Sequence, residues 1–504
     1  MVKTNKIILR TTLVLSYLLI TSIILFLISS LFSYFNTGAD RSEILHTKVE
    51  RSDLYLPKIS WKNDGNEGRF INNQTLQDVE NDYLDAWYVK HIANKVNITS
   101  GLDDYYTKNA RENLFNFIRQ NKNENIHIEA TTLEHNPNIE FFSEDGQLIA
   151  LKDDHVVEYK KVFKDDILML ETTEVSSYKA ILLLEDNFWR IRHLVKEKTS
   201  ELKKVVTSSP IKIGIMKGIN YYPQATPWNM YGESFNINVI DADFKIIEGA
   251  GLNTIRIFVP YEDFGKASVK AGKIDKLKQI LDTAEKNNIK VVVTLFDFYG
   301  NYDVMDWTLN QKHARTIVSA FKDHEAIIAW DIKNEPNLDF DSRGKTTVIA
   351  WLEHLLILVK SIDKKHAVTI GWSNTKSAII LKDQVDFVSF HYYEDIDDFE
   401  IEYQLLQQKI PNRTIVLGEF GISSYGGFWK PFNSSKTKQA AYYKKIQKVL
   451  TKNAIPFMSW TLYDFDKIPE DVIGRLPWRF IPQKKFGFIT KKGVKKPSFE
   501  FIAK

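Results

Sequence analysis

The sequence contains no cysteine, has almost no net charge and holds only one long uncharged apolar run. The lack of cysteine excludes disulfide bonds, thiolate metal sites and a cysteine nucleophile, and it fits either a reducing compartment or an exported bacterial protein. The 67 basic and 64 acidic residues leave a formal net charge of +3 over 504 residues. No overall field therefore favours nucleic acid or an acidic partner, and we expect no nucleic acid to bind.

The one long uncharged run covers residues 11–35 and is rich in Leu and Ile. As a helix at ~1.5 Å per residue, it would exceed the ~30 Å hydrocarbon core of a bilayer. This length favours an uncleaved transmembrane anchor after a cytoplasmic tail of residues 1–10. The alternative is a cleaved signal peptide, for which small residues at 37–39 offer a site. Because the basic residues lie on the N-terminal side, the rest of this single-pass membrane protein is expected to be extracytoplasmic.

Two helices are predicted after a linker at 36–59. Apolar residues at helical spacing, from Leu76 to Trp87, predict the first helix, and Thr75 with Asp78 resembles a capping box at its start. The second helix is predicted over Leu102–Ile118.

Short strands follow these helices, which together predict a small α+β domain over residues 60–195 and a second linker at 196–210. The order of elements and the closing run Phe188-Trp189-Arg190-Ile191 resemble the nuclear transport factor two-like fold. That resemblance implies a cavity for binding or assembly, while a plain spacer is the alternative. The predicted strands are Ile126–Leu133, Ile139–Phe142, Val156–Phe163, Ile167–Thr173, Tyr178–Leu184 and Phe188–Leu194.

From residue 211 to 504, apolar strand-like runs alternate with amphipathic helical stretches, so the α/β class is predicted. Eight such strand–helix units indicate a (β/α)8 TIM barrel, in which active sites lie at the C-terminal ends of the strands. The predicted strands are Ile213–Asn220, Thr254–Val259, Lys290–Phe296, Ile327–Asn334, Ala367–Trp372, Phe387–His391, Thr414–Glu419 and Pro456–Trp460. The predicted helices are Ala242–Glu248, Ile274–Asn287, Gln311–Asp323, Val348–Ile362 and Ser435–Asn453.

Two carboxylates stand at the ends of these strands. Glu335 follows the fourth strand in the stretch Trp-Asp-Ile-Lys-Asn-Glu-Pro, and Glu419 ends the seventh strand. Strands four and seven lie on opposite sides of the barrel mouth, so the two glutamates are expected to face each other, as bond cleavage by paired carboxylates requires. Other polar and aromatic side chains at the strand ends are Arg256, Asn334, His391, Tyr393 and Trp460.

This half of the chain resembles a clan A glycoside hydrolase, of the cellulase-like family five or a close relative. The resemblance implies a retaining mechanism on β-glycosidic bonds, of the endo-β-glucanase or β-mannanase type, with carboxyl groups ~5–5.5 Å apart. The matching segments are Asn334-Glu335-Pro336, Gly251–Arg256, His391-Tyr392-Tyr393, Gly418–Gly421 and Trp460, with Phe486-Gly487-Phe488 and Lys496-Pro497 at the end of the barrel.

The resemblance also implies a role for each site residue. Glu335 would be the general acid/base and Glu419 the nucleophile, and an ionised Glu419 is expected to raise the pKa of Glu335. Asn334 would bind the sugar 2-hydroxyl. Arg256 and Tyr393 would hold Glu419, Trp460 would stack under the sugar, and His391 would complete the hydrogen-bonded frame.

Three of these supporting residues also have an ordinary structural interpretation. The alternative is a structural ion pair for Arg256, a satisfied rim histidine for His391 and a core aromatic for Trp460. Five aromatic residues in predicted rim loops are either sugar platforms or packing residues: Tyr221, Trp228, Tyr299, Trp307 and Trp429. The third strand ends in Phe296-Asp297 where many relatives carry His, which leaves the sugar preference open.

The sequence thus predicts a membrane-anchored glycosidase with a carbohydrate substrate and no cofactor or metal. A polysaccharide synthase is a candidate partner, since a tethered barrel suits a glycan that is being made or exported. The alternatives are a transglycosylase with the same residues, a glycan-binding scaffold, and a ligand sensor centred on the small domain.

Overall fold

The computed structural model describes residues 10, 14–29, 54–62, 65–202, 209–427, 435–469, 472 and 476–503. Residues 14–29 are helical, and large apolar side chains on this helix, such as Leu15 and Phe26, are exposed. The remaining residues of the predicted 11–35 anchor lie outside the described part. Within the described ranges, no helix has both the length and the apolar character needed to cross a membrane.

The first folded unit is built on one sheet with the strand order β1-β2-β4-β5-β6, and β3 pairs with β4. The strands pair in antiparallel fashion except for β1 and β2, which are parallel. The strands are β1 Lys58–Ile59, β2 Ile126–His135, β3 Pro137–Phe142, β4 Leu148–Lys164, β5 Ile167–Glu185 and β6 Phe188–Glu201.

Two predictions about these strands are corrected. The separate strands predicted at 167–173 and 178–184 are one strand, because Val175 and Ser176 continue the ladder to β4 and β6. The linker predicted from 196 is still strand through Glu201, since Lys198–Glu201 pair with β5. Both stretches are rich in polar residues, which hides their strand character although they pair within the sheet.

Three helices accompany this sheet: α1 Asn73–Val96, α2 Leu102–Tyr105 and α3 Lys108–Asn123. The cap of α1 is Asn72, whose side chain accepts a hydrogen bond from the Thr75 backbone N–H, so the predicted capping box at Thr75 is corrected. The predicted second helix is interrupted at Tyr106, whose extended backbone forms a bridge to Ile191 in β6.

The second unit is a closed barrel of eight parallel strands in the order β10-β11-β12-β13-β14-β7-β8-β9. This confirms the predicted eight-stranded barrel. Its strands are rich in Val, Ile and Phe because both faces are buried. They are β7 Lys217–Asn220, β8 Thr254–Pro260, β9 Lys290–Asp297, β10 Ile327–Asn334, β11 Ala367–Trp372, β12 Phe387–Tyr392, β13 Thr414–Phe420 and β14 Phe457–Trp460.

Helices surround the barrel and place their apolar faces on the strands. The five predicted helices are present, and the described residues hold three more that were not predicted: α7, α9 and α11. In chain order they are α4 Ile237–Gly249, α5 Ala271–Lys286, α6 Trp307–Phe321, α7 Phe340–Arg343, α8 Lys345–Ile362, α9 Phe399–Lys409, α10 Lys436–Lys452 and α11 Pro477–Gln483.

The two units pack against each other along α6. The ring of Tyr159 on β4 stacks on Trp307 at the start of α6, with centroids 4.2 Å apart. Lys95 in α1 forms an ion pair with Asp303 at 2.5 Å. Leu133, Val157 and Tyr159 of the sheet belong to the same apolar cluster as the barrel. The units therefore share one core at this junction.

Candidate active site

The C-terminal ends of β8, β10, β12, β13 and β14 meet at one mouth of the barrel, because all the strands are parallel. This topology brings together all seven of the site residues predicted from the sequence. They are Arg256, Asn334, Glu335, His391, Tyr393, Glu419 and Trp460.

Glu335 stands at the turn between β10 and a 3₁₀ helix that begins at Pro336. Its backbone is left-handed, with φ 48° and ψ 47°, which is uncommon for a residue other than glycine. The conformation is held by a hydrogen bond from the Glu335 backbone N–H to the carbonyl of Gly371 at 2.7 Å. The side-chain Oε1 lies 2.8 Å from Nδ1 of His391. The carboxylate is thus fixed at both its backbone and its tip.

Glu419 near the end of β13 is held from two sides. Tyr393 Oη donates a hydrogen bond to Glu419 Oε1 at 2.6 Å. Arg256 Nη1 donates to Oε2 at 3.4 Å. The side chain is 12% exposed, so it opens toward the cleft through a small part of its surface. Both donors favour the ionised carboxylate.

Arg256 is fully buried beneath the two glutamates. Its Nε and Nη2 donate to Asp331 Oδ2 at 3.0 and 2.5 Å, and its Nη2 also donates to Asn334 Oδ1 at 2.9 Å. Its Nη1 donates to Asn220 Oδ1 at 3.1 Å as well as to Glu419. Arg256 therefore forms a structural ion pair with Asp331 and also supports Glu419. Both interpretations left open by the sequence apply to this residue.

Gly371 leaves the space that this arrangement needs. A Cβ atom at that position would lie 2.7 Å from Arg256 Nη2 and 3.3 Å from Asp331 Oδ2. Its backbone N–H donates to the other oxygen of Asp331 at 2.9 Å. Any side chain at this position would push the guanidinium away from its partners.

His391 at the end of β12 lies between the two glutamates. Its Nδ1 is 2.8 Å from Glu335 Oε1 and 4.0 Å from Glu419 Oε2. Its Nε2 is buried without a hydrogen-bond partner among the described residues. A buried N–H without an acceptor costs more than a bare ring nitrogen, so in the neutral form of the ring the proton belongs on Nδ1, which donates to Glu335.

The electrostatics of the pair differ from the expectation. Burial raises the pKa of Glu335, but the hydrogen bond and charge of His391, with Arg256 and Lys333, outweigh burial and leave that pKa below its ordinary value. Burial and the charge of Glu335 hold the pKa of Glu419 above its ordinary value, against the effects of His391, Arg256 and Tyr393. The expected raised pKa of Glu335 is therefore corrected: without substrate, the raised pKa belongs to Glu419.

An open cleft of about 410 Å³ lies above the pair. Trp460 forms part of its wall and tilts against Trp228, with ring centroids 5.7 Å apart. Phe298 and Leu338 contribute apolar surface at the rim and are 54% and 64% exposed. The charged residues that line the cleft are Asp297, Lys333, Glu335, Asp339 and Glu419.

The structure separates the five candidate platform aromatics. Trp228 and Tyr299 line the cleft, although Tyr299 is mostly buried and stacks on Trp351. Tyr221 is a buried packing residue whose hydroxyl donates to Asp243. Trp307 is buried against Tyr159, away from the cleft. Trp429 lies outside the described residues.

Three charged residues of the site were not singled out from the sequence: Asp331, Lys333 and Asp339. Asp331 and Lys333 belong to the same strand stretch as Glu335, at alternate positions that point into the barrel. That alternation of charged residues in an otherwise apolar strand was the available signal. Among the described residues, no group of three or more His, Asp, Glu or Cys side chains is arranged to hold a metal ion.

A parallel barrel with two carboxylates at its mouth, a supporting arginine and an aromatic wall defines the class of glycoside hydrolase barrels. A family model described as Cellulase (glycosyl hydrolase family 5) matches residues 217–466. Those residues therefore form a domain of glycosyl hydrolase family 5. This confirms the predicted catalytic barrel, whereas the resemblance of the small unit to the nuclear transport factor two-like fold stays a prediction.

Curated relatives point in the same direction. Mannan endo-1,4-beta-mannosidase A of Emericella nidulans is 25% identical over 241 residues, which cover 38% of this chain and 61% of that protein. Mannan endo-1,4-beta-mannosidase 3 of Arabidopsis thaliana is 30% identical over 246 residues, which cover 39% of this chain and 54% of that protein. The chain thus spans about half to three fifths of the length of these relatives. These matches support the prediction of a glycosidase of the endo-glucanase or mannanase type.

Among solved structures, the exo-beta-1,4-mannosidase Op5Man5 from Opitutaceae bacterium strain TAV5 is 15% identical with a TM-score of 0.48. The match covers 57% of this chain and 58% of that chain.

Proposed function

We propose that this protein is a membrane-anchored retaining glycoside hydrolase that cleaves β-glycosidic bonds within an oligo- or polysaccharide. The observation that carries the proposal is the placement of Glu335 and Glu419 on opposite strands, with His391 within 4.0 Å of both. The mannan endo-1,4-β-mannosidases among the relatives make a β-mannan the first substrate to test. A β-glucan is the second.

The chemistry takes two steps. Glu419 attacks the anomeric carbon while the bond to the leaving oxygen breaks and that oxygen takes a proton from Glu335. Water then attacks the anomeric carbon, Glu335 removes a proton from the water, and the bond to Glu419 breaks. A sugar hydroxyl in place of water would give transglycosylation with the same residues.

The first step requires the proton of the pair to lie on Glu335 when the glycan is bound. In the empty site the raised pKa belongs to Glu419. The two carboxyl groups are coupled, so ionisation of Glu419 places a negative charge beside Glu335 and raises the proton affinity of Glu335. The proton of the pair therefore belongs on Glu335 once Glu419 is ionised for attack.

Replacing either glutamate tests this assignment. We expect Glu335→Gln and Glu419→Gln each to lower kcat/KM on β-mannan or β-glucan by about 10²–10⁴-fold or more, because an acid/base and a nucleophile are lost. Glu325→Gln is the matched control, since Glu325 is an exposed carboxylate paired with Lys365 far from the mouth. The anomer first released should have the configuration of the substrate, as NMR of the reaction will show.

Two results would contradict the assignment. A kcat/KM that Glu419→Gln leaves at the parent value would remove Glu419 as nucleophile. An intact protein that binds glycans but cleaves none of the β-mannans, β-glucans or xylans tested would favour the glycan-binding scaffold.

The membrane anchor is part of the proposal. It is supported by the uncharged sequence of residues 11–35 and by the exposed apolar side chains of helix 14–29. With the basic side in the cytoplasm, the barrel would lie outside it. A barrel held outside the cytoplasm could act on a glycan as it leaves a polysaccharide synthase. We therefore propose such a synthase as the partner.

A further inference from the structure

Asp297 at the end of β9 is a buried carboxylate that faces the catalytic cleft. It is 4% exposed and lines the same cleft as Glu335 and Glu419. Its Oδ2 accepts a hydrogen bond from Tyr222 Oη at 3.3 Å, a long contact, and this is its one side-chain hydrogen bond within the described part of the chain. Buried carboxylates are normally paired or hold several hydrogen bonds. Asp297 thus keeps acceptor capacity for a group inside the cleft.

Lys333 on the adjacent strand β10 is a loosely held cation in the same cleft. It is 5% exposed, and its Nζ lies 3.4 Å from the backbone oxygen of Asn334 and 3.4 Å from Asp339 Oδ2. Both contacts are long for an ammonium group. The Asp339 carboxylate also accepts a hydrogen bond from Tyr302. Lys333 therefore keeps donor capacity beside the acceptor capacity of Asp297.

We propose that Asp297 and Lys333 form a subsite for two neighbouring hydroxyls of a neutral sugar unit beside the catalytic pair. The carboxylate accepts from one hydroxyl and the ammonium donates to the next, which uses the donor and acceptor character of a vicinal diol. The inference rests on the proposed function, because it names the kind of sugar unit that the cleft of the proposed glycosidase binds. Hydrogen bonds to charged groups are stronger than those between neutral groups, so this subsite contributes specificity.

The charge of the cleft disfavours an acidic sugar at this position. Asp297, Asp339 and the two catalytic glutamates line the cleft, whereas Lys333 is the one cation among the described residues that line it. A sugar carboxylate would meet these four acidic groups in a partly desolvated space. A neutral hexose unit with free vicinal hydroxyls fits the arrangement better.

The ionisation of Asp297 offers a readout for the subsite. Burial raises its pKa to about 6, against the charges of Lys333 on β10 and Arg256 on β8 and the hydrogen bond from Tyr222 after β7. Glu419 on β13 adds to the rise. Above about pH 6 the carboxylate is ionised and accepts from the sugar. Below that pH it is protonated, so binding should weaken as the pH falls.

Glycan binding to the full chain tests the subsite directly. In a Glu335→Gln background, in which turnover is slow enough for binding to be measured, we expect Asp297→Asn to raise the Kd for manno- or cello-oligosaccharides about tenfold above pH 6. We also expect the change of Kd across pH 6 to disappear. Asp306→Asn is the matched control, because burial also raises the pKa of this half-buried carboxylate, which does not line the cleft. Its Kd and pH dependence should equal those of the parent.

Substrates that lack single hydroxyls identify the contact. A deoxy-oligosaccharide that lacks the hydroxyl bound by Asp297 should bind less well to the Glu335→Gln protein. Adding Asp297→Asn should then cause no further loss, because the contact is already absent. A deoxy-oligosaccharide that lacks the neighbouring hydroxyl should give the same result with Lys333→Met. If Asp297→Asn keeps the Kd and pH dependence of the parent, the subsite is wrong. A further outcome is that the Glu335→Gln form binds glycans and yet the unsubstituted protein cleaves none. In that case the proposed hydrolysis is wrong, and the comparison of Kd values still decides whether the subsite exists. Absence of any oligosaccharide binding would overturn both.

Discussion

Arg256 is the side chain on which the polar groups of the barrel mouth converge. It contacts Asp331, Asn220, Asn334 and Glu419 while being almost completely buried. A buried cation with this set of acceptors is stable because every acceptor offsets part of the cost of removing charge from water. The same contacts fix Glu419 in position. Fold stability and site geometry are therefore coupled at this one residue.

Replacing Arg256 should separate these two contributions. We expect Arg256→Met to lower the free energy of unfolding by about 3–5 kcal/mol, because Asp331 is left as a buried charge without its ion pair. Arg256→Lys keeps the positive charge but loses the planar fork, so it should retain more stability than Arg256→Met and still lose activity. Denaturant unfolding and kcat/KM measure the two effects.

The lysine variant also has a signature in its pH profile. Arg256 lowers the pKa of Glu419, so a weaker contact should raise that pKa further. A nucleophile must be ionised, and activity is lost as the pH falls through its pKa. The acidic limb of kcat/KM should therefore move to higher pH in Arg256→Lys. An unchanged limb would contradict the support of Glu419 by Arg256.

At the scale of elements, the contact between β4 and α6 joins the small unit to the barrel. The ring of Tyr159 lies on Trp307, and Trp307 in turn stacks on His354 of α8 with centroids 4.9 Å apart. The sheet face that carries Tyr159 would otherwise expose apolar surface beside Leu133 and Val157. Burial of this face against α6 therefore stabilises both units.

Removing the Tyr159 ring should weaken that junction. We expect Tyr159→Ala to lower the free energy of unfolding by about 3 kcal/mol, because a buried aromatic ring is lost and a cavity is left. Tyr159→Phe is the matched control: it keeps the ring but loses the hydroxyl contact to Glu171, at a cost of about 1 kcal/mol. Denaturant titration followed by tryptophan fluorescence measures both. Equal losses for the two variants would mean that the stack on Trp307 contributes little.

At the scale of the whole molecule, the sequence divides into an N-terminal apolar run, a small α+β unit and a catalytic barrel. The structure describes most of the last two and residues 14–29 of the first. The proposed anchor decides where the barrel works, because it would hold the cleft close to a membrane surface. The barrel chemistry does not depend on it.

Fractionation of the full chain tests the anchor. We expect the protein to stay with membranes through washes with high salt and alkaline carbonate, because about 20 apolar residues suffice to span a bilayer. A variant with Leu18→Lys and Leu25→Lys should be released, since each lysine at the centre of a span costs roughly 2.5–3.5 kcal/mol. Its kcat/KM should equal that of the parent. A mature protein that has lost residues 1–35 would instead support the signal peptide.

The sequence by itself determined the barrel, its eight strands and the seven residues at its mouth. The reason is that buried parallel strands are continuous apolar runs, and a polar residue at the end of such a run stands out. It also placed Glu335 and Glu419 on opposite strands, because the strand order of a parallel barrel follows the chain.

Only the tertiary structure decided which groups surround those glutamates. The link of Arg256 to Asp331, the place of His391 between both carboxylates, and the raised pKa of Glu419 depend on contacts between residues far apart in the chain. The same holds for the continuous strand β5, whose polar middle is stabilised by pairing on both sides. Local sequence patterns show where a helix or strand lies and where it ends. Desolvation and charge pairing instead depend on the residues that the fold places next to a side chain.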